Sequence, residues 1–506
     1  MSEENVTWLR VAPGVERDGT QQDSTHYIDA QHVRFYRGRP RKMAGWRRIT
    51  DALTGPITAV NMWAQSTLNS INTFSTEKIE AILTDKEGVG ASIVDRTPVG
   101  FTTDERLVWS TDVLFDAAAG SPQAVILAHG AYSAADIEDQ NETAVYIGDA
   151  IGTGVYVDSG ATTSGGVLAT HPFAVLYGSN GLVEWSNENE PFNYTTGSAG
   201  SARVTANKIV AGARMPSGNG PGALLVSLDA VVAMSYVGGS AIFRFTEIST
   251  DSTILSSRSL VAYGGKFYWP GTDQFLVSDG NTVEPLVNQY NENWFYTNLN
   301  YAQRQKVWGV AVSKFGEIWW HFPFGQDAVE CNHVIIYNVR EKIWYDTELS
   351  RGAGMRARVF RYPVMASSEA NDLGTYSLYT HEFGVDAVEG DNVLPIEATI
   401  ETCDIGFING GMNPASPTNP NLNTRITRVE PDFVCTGALT MEVCGQATAN
   451  SPAVTSRVYN VSSDVEVVDL RDQFRHLRLK FSCGESGGFF EGGKILLHME
   501  PGDKRL

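Results

Sequence analysis

Apolar and polar residues alternate along this chain in short runs, and the runs end at Gly, Pro, Asn or Asp. Period-two alternation of that kind marks half-buried strands joined by tight turns. Ser259–Pro285 shows it most clearly. Leu260–Tyr263 is apolar, and Gly264-Gly265 supplies the positive φ values of a two-residue hairpin. Lys266–Trp269 is the return strand, and Pro270-Gly271 turns the chain again. Gln274–Ser278 is a third strand, and Asp279-Gly280-Asn281 leads into Thr282–Glu284. Four short strands in sequence are the pattern of one β-propeller blade. A single blade has two open edges and too little core, so it predicts a ring of such units.

The same unit recurs between about Pro56 and Phe383. Ile57–Trp63, Ile79–Thr84 and Ser92–Asp95 form the first. Leu107–Ser110, Ala124–His129, Ala144–Ile147 and Gly154–Val157 form the second. Phe173–Tyr177 and Leu182–Ser186 belong to a third, and 208–245 to a fourth. Ser259–Pro285 is the fifth and 307–346 the sixth. Arg356–Arg361 through Leu378–His381 begins a seventh, with an N-terminal strand closing the ring. Trp185, Trp269, Trp319, Trp320 and Trp344 follow turns, where large rings would pack between blades. The spacing is irregular, and stacked sheets or two sandwiches also fit it. The expected fold is all-β: an irregular propeller of six or seven blades over 56–383, then a C-terminal β-sandwich-like domain over 393–506. Residues 1–55 read as an extended arm and 384–392 as a linker. Leu477, Leu479 and Phe481 alternate with His476, Arg478 and Lys480, as a half-buried strand would. The one helix expected is Asn298–Lys306, with Asn298 as its N-cap.

Composition agrees with strands: 11 Trp, 19 Tyr, 22 Phe and 49 Gly. Net charge is −20, so the chain as a whole repels nucleic acid while remaining suited to a wall past which DNA slides. Against that balance one segment stands out. Arg34, Arg37, Arg39, Arg41, Lys42, Arg47 and Arg48 fall together with no carboxylate among them. Two readings fit: a docking arm for an acidic partner or phosphate, and a solvated run pairing with the chain's own acidic surface. The five cysteines form no C-x-x-C pair and are expected to be reduced. Neither a signal-peptide core nor an apolar run of membrane-spanning length is found in the sequence.

Reactive constellations are sparse, and no enzyme activity or cofactor is expected. Gly488–Lys494 resembles a P-loop, but Ile495 replaces the magnesium-binding Ser or Thr, and strand-like ILLHM follows where a helix is needed. His321, His333 and Cys331 are too few for a zinc site. Asp386, Glu389 and Asp391 lack the ligand ladder of a calcium loop. There is no G-x-S-x-G elbow and no repeated Ser-x-Asp-x-Gly-x-x-Trp turn.

The order of several motifs resembles the tail hub proteins of short-tailed phages, including packaged-DNA stabilisation and tail nozzle proteins. The resemblance lies in Tyr27–Trp46 (YIDAQHVRFYRGRPRKMAGW), Leu176–Asn193, Ile248–Gly280, Glu430–Phe433 and Phe474–Arg505. It implies a structural virion protein, made in the host cytoplasm. Such proteins form a homohexameric ring below portal and adaptor, hold the packaged genome and conduct it on ejection. The implied partners are further copies, the tail adaptor or connector ring, and tail fibre or spike proteins. Genomic DNA passes without sequence-specific binding, and no catalytic residues carry over. The alternative is a carbohydrate- or host-receptor-binding propeller on the tail, which would expose Trp and Tyr on one face.

Overall fold

The structure, a computed structural model, describes residues 5–19, 24–64, 69–85, 91–97, 107–117, 123–131, 145–148, 155–157, 165–216, 220–405, 422–448 and 451–504. The described chain is nearly all β. Between Ile57 and Glu348 six antiparallel meanders follow one another, each of four strands in chain order. Sheet one holds Ile57–Ala64, Asn69–Ser75, Ile79–Thr84 and Ser92–Asp95; sheet two holds Val108–Asp116, Gln123–Ala131, Val145–Gly148 and Val155–Val157. Sheet three begins at Gly166–Thr170, sheet four at Ile209–Arg214, sheet five at Val261–Tyr263 and sheet six at Trp308–Val312. Sheet seven starts with Arg351–Met355, Val364–Ser367 and Tyr376–His381. Its fourth strand, Trp46–Leu53, comes from the N-terminal region and pairs antiparallel with Tyr376–His381. Ala387–Glu389 then pairs parallel with Trp46–Leu53, so part of the expected linker is strand. Gly154, Ala144 and Arg505 lie outside the described residues.

The first strand of each sheet lies against the first strand of the next, and Arg351–Met355 lies against Ile57–Ala64. Tryptophans join adjacent sheets by ring and by indole N–H. Trp109 donates to the Ser75 carbonyl (2.8 Å), Trp320 to that of Ser259 (2.9 Å) and Trp308 to that of Arg351 (2.9 Å). Burying such a ring stabilises by dispersion and water release, and the bonded N–H removes the penalty of a buried donor. The hairpin expected at Gly264-Gly265 is present, with φ of 60° and 81°.

Three further sheets form the C-terminal body, and the N-terminal region threads all of them. Asp29–Gln31 borders Ala398–Glu401 in a five-stranded sheet; Asn5–Trp8 borders Leu496–Lys504 in a four-stranded one. The hairpin Val33–Tyr36/Arg39–Lys42 completes the third, beside Phe489–Gly492. Thus the described residues of the expected arm over 1–55 are mostly strands in other segments' sheets and not a separate extended segment. One apolar core runs across both bodies, joining Phe35 with Val334, Ile336 and Tyr345 of sheet six and with Met441, Leu477, Leu479 and Leu497 beyond. His476 and Arg478 are buried too, beside Asp404 and Glu401, so this strand is wetter in sequence than in place.

The helical expectation is displaced. The α-helix is Glu292–Asn298, and Tyr301–Lys306 is a 3-10 turn. Asn300, not Asn298, is its cap, accepting from the Ala302 N–H (3.1 Å). Leu299 and Asn300, both extended, separate the two.

Candidate docking site

The basic hairpin divides into an inner and an outer half. Its two-residue turn, Arg37-Gly38, has φ of 53° and 72°, as a tight hairpin twisted with its strands requires. The N–H groups of both turn residues donate to the carboxylate of Glu341, at 2.5 and 2.8 Å. Glu341 sits in the turn between the last two strands of sheet six, so the tip is pinned there.

On Val33–Tyr36, Arg34 is buried on one face while Val33 and Phe35 are buried on the other. Its guanidinium makes a fork with Glu382 (2.6 and 2.7 Å), stands 3.1 Å from Glu317 and lies over the Phe315 ring at 3.7 Å. Glu317 also accepts from the Tyr345 hydroxyl (2.7 Å) and the Trp319 indole (2.8 Å). Arg34 and Glu317 are 1% and 0% exposed in their side chains, which decides the point: this cation cannot reach a partner. Burial opposes the Arg34 charge, but Glu317 and Glu382 outweigh it and hold its pKa above the ordinary value. Burial pushes the Glu317 carboxyl up, despite Arg34. Lys42 is buried as well, its ammonium near Asp386 and Cys483 and its pKa lowered by burial. The docking role expected of Arg34 and Lys42 is therefore corrected: they lie on opposite faces of the hairpin, and both are buried.

The remaining five stand further out. Arg37 is exposed; Arg39 and Arg41 lie 3.8 and 3.6 Å from Glu491. Arg41 lies over the Phe489 ring, Arg47 over that of Phe383, and Arg48 pairs with Asp51 and Glu389. The structure thus brings Arg37, Arg39 and Arg41 together on one hairpin and leaves Arg47 and Arg48 on Trp46–Leu53, an interior strand of sheet seven.

The other candidate chemistries meet ordinary partners. Phe489–Gly492 is a strand, and the Lys494 N–H donates to Asp432 (3.0 Å). A carboxylate stands where a P-loop would seat phosphate. His321 stacks on Trp308 at 4.3 Å, His333 bonds Asp346 (2.9 Å), and the Cys331 thiol donates to the Lys306 carbonyl (3.3 Å). Asp386 accepts from Ser486 and the Gly487 N–H, and Glu389 holds Arg48. Among the described residues no cluster of three or more His, Cys, Asp or Glu has the arrangement of a metal site, and no helix is long and apolar enough to cross a membrane.

Two cationic features escaped the sequence reading. Arg17 joins Asp29 and Asp346, at 2.7 and 2.9 Å, tying the N-terminal region to sheet six. Arg258 donates to the carbonyls of Thr58 (3.1 Å), Gly352 (2.9 Å) and Lys306 (3.1 Å). One guanidinium therefore stitches segments of sheets one and seven and the approach to sheet six. Isolated arginines carry no sequence signal for such a role.

No family model matches this chain, and no curated protein matches it.

Proposed function

We propose that the chain is a structural virion protein of the tail hub or nozzle kind. On this reading the seven sheets are blades of one closed propeller, sealed by Trp46–Leu53, and the C-terminal sheets are the body that packs copies side by side. Six copies form a ring below portal and adaptor, hold the genome and conduct it on ejection. The observation that carries the reading is the threading of residues 5–53 through four sheets of both bodies. It joins the two bodies through shared sheets and a shared core, as a load-transmitting ring component needs, and leaves Arg37–Arg39 at the exposed tip. The order of motifs shared with phage tail hub proteins points the same way. On this reading Arg258, bonded near the starts of three first strands, lies toward the propeller's axis, so DNA would pass between copies and not through a propeller.

A sugar-binding propeller has less support. Trp8 alone of the 11 tryptophans is in the exposed class, and the rest are buried or partly buried, so tryptophan offers little of the stacking surface sugars use.

Native mass spectrometry and electron microscopy of the purified chain, alone and with its tail partners, test the proposal. A six-membered ring with an open axis is expected. A persistent monomer in both preparations would overturn it.

A further inference from the structure

The four-stranded sheet of the C-terminal body runs Asn5–Trp8, Leu496–Lys504, Leu422–Glu430, Val468–Phe474, and every neighbouring pair is antiparallel. Asn5–Trp8 and Val468–Phe474 are its two edges, and they run in opposite directions. The Leu9 N–H donates to the Ile495 carbonyl (2.8 Å), so Leu9 and Thr7 turn their backbone groups toward Leu496–Lys504. Alternation then points the N–H and C=O groups of Val6 and Trp8 away from the sheet. Val6 and Trp8 are also 51% and 47% exposed, and neither Lys nor Pro within the strand blunts this edge. Among the described residues no strand pairs with either edge from outside.

The two edges carry opposite charge at the ends that antiparallel pairing would join. Arg10 follows the first edge, and Lys494 lies over the Trp8 ring at 5.8 Å; both are exposed. Glu430 and Asp432 on this side are engaged, with His498 (2.8 Å) and with the Lys494 N–H (3.0 Å). Glu3 and Glu4 lie outside the described residues. The chain enters the other edge through Asp464, Glu466 and Val467, all exposed. Asp469 follows, exposed beside Arg428 (2.8 Å). Asp472 accepts from the Tyr459 hydroxyl (2.8 Å), and Arg471 and Arg475 stand toward the far end.

We propose that the edge Asn5–Trp8 of one copy adds antiparallel to the edge Val468–Phe474 of the next, extending this sheet from copy to copy. Because the two edges of one sheet already run oppositely, a second copy in the same orientation continues the antiparallel alternation without a flip. The Trp8 end of one strand then meets the Val468 start of the other. Arg10 and Lys494 face Asp464, Glu466 and Asp469 there, and Trp8 covers apolar surface near Val467. The open backbone groups of Val6 and Trp8 supply the ladder bonds, as in strand addition generally. Such a head-to-tail contact uses both edges of every copy, as a ring of more than two requires, whereas pairing of like edges stops at a dimer. In choosing it, the proposal rests on the ring reading above.

Sedimentation velocity of the full chain and two variants tests it. Val6→Pro removes one outward N–H and leaves the bonds to Leu496–Lys504 in place. Asp464→Lys with Glu466→Lys reverses the charge at the other edge. Each variant should be monomeric at the concentration where the parent assembles, and each should melt near the parent because only exposed groups change. Mixed in equal amounts, the two should form one-to-one dimers, since each keeps the edge that the other has lost. Parental assembly by both variants would overturn the interface and leave the ring reading standing. Assembly lost in one variant only, with no rescue on mixing, would show like edges pairing and overturn the head-to-tail contact. Parent assemblies that lose their contacts in both variants yet never close into a ring would uphold the interface and overturn the ring. A parent that stays monomeric, alone and with its tail partners, would overturn both.

Discussion

Arg34 is one buried guanidinium between two buried carboxylates, Glu317 and Glu382. Removing a partner from such a group leaves charge without compensation, which costs about 3–5 kcal/mol. Arg34→Met should cost that much at neutral pH. The sign of its pH dependence follows from Glu317, whose carboxyl is already raised by burial. Without Arg34 it rises further, and a carboxyl raised in the fold contributes stability at low pH that is lost as pH rises. The penalty of Arg34→Met should therefore be smaller at pH 5 than at pH 8, read from urea midpoints at both. A penalty that is flat with pH would remove the uncompensated carboxylate from the explanation. His321 and His381 act in the opposite sense. Burial, then Arg351, holds His321 down at about 3 and His381 well below its ordinary value. Below about pH 6.5 the unfolded chain binds protons that the fold does not, so these residues lower stability as pH falls, by about 1.4 kcal/mol per pH unit each. Asp404, raised to about 6 by burial, partly offsets them between pH 6 and 4. His381→Gln keeps an acceptor for the Arg351 Nε–H, which lies 2.8 Å from the ring nitrogen. It should shallow the acid limb by about one proton. An unchanged slope in denaturant melts at pH 6.5, 6 and 5 would show that the ring does not set it.

At the scale of elements, Trp46–Leu53 is the strand on which sheet seven depends, and its approach is tight. A Cβ on Gly45 would meet the Asp386 carbonyl oxygen at 2.0 Å, and Gly45 exchanges backbone bonds with Phe383 and Gly384. Gly45→Ala must push that backbone apart. It should destabilise by about 3 kcal/mol, at or above the upper end for overpacking a core. Proteolysis between Phe383 and Asn392 should accelerate with it; equal cleavage rates in both proteins would count against the close approach. The strands of sheet five were legible because turn chemistry and period coincide there: Gly264-Gly265 and Asp279-Gly280 bound runs that alternate. The N-terminal strands were not. Arg39–Lys42 reads Arg-Pro-Arg-Lys, without apolar alternation, and its partners Val33–Tyr36 and Phe489–Gly492 lie on either side, the second hundreds of residues away. Pairing over such separations leaves no local period. The same blindness shaped the candidate site. Clustered charge on residues 34–48 is plain in the sequence, but the burial of Arg34 depends on Glu317, in a distant strand, and on Glu382, just past the end of another.

For the whole molecule the two halves of the basic hairpin make separable claims. Arg34 holds the bodies together; Arg37 and Arg39 are exposed and Arg41 half-buried, with ion pairs from Arg39 and Arg41 to Glu491 and ring contacts of Arg37 and Arg41 with Tyr36 and of Arg41 with Phe489. Pairs of that kind contribute no more than about 1 kcal/mol each. Arg37→Gln, Arg39→Gln and Arg41→Gln together should therefore leave the melting transition near that of the parent. The Arg37 and Gly38 N–H groups still reach Glu341, because those bonds belong to the backbone. If the outward cations dock an acidic ring, the triple variant should still fold yet bind the adaptor weakly, and its residual binding should lose most of its salt dependence. The measurement is adaptor binding across a salt series, with the thermal melt of the free chain as the internal control. Parental affinity and salt slope would confine the hairpin to an internal role, bridging sheet six and the C-terminal body. A low melting point would instead show that Glu491 and the Tyr36 and Phe489 rings depend on these guanidiniums more than exposed pairs ordinarily do.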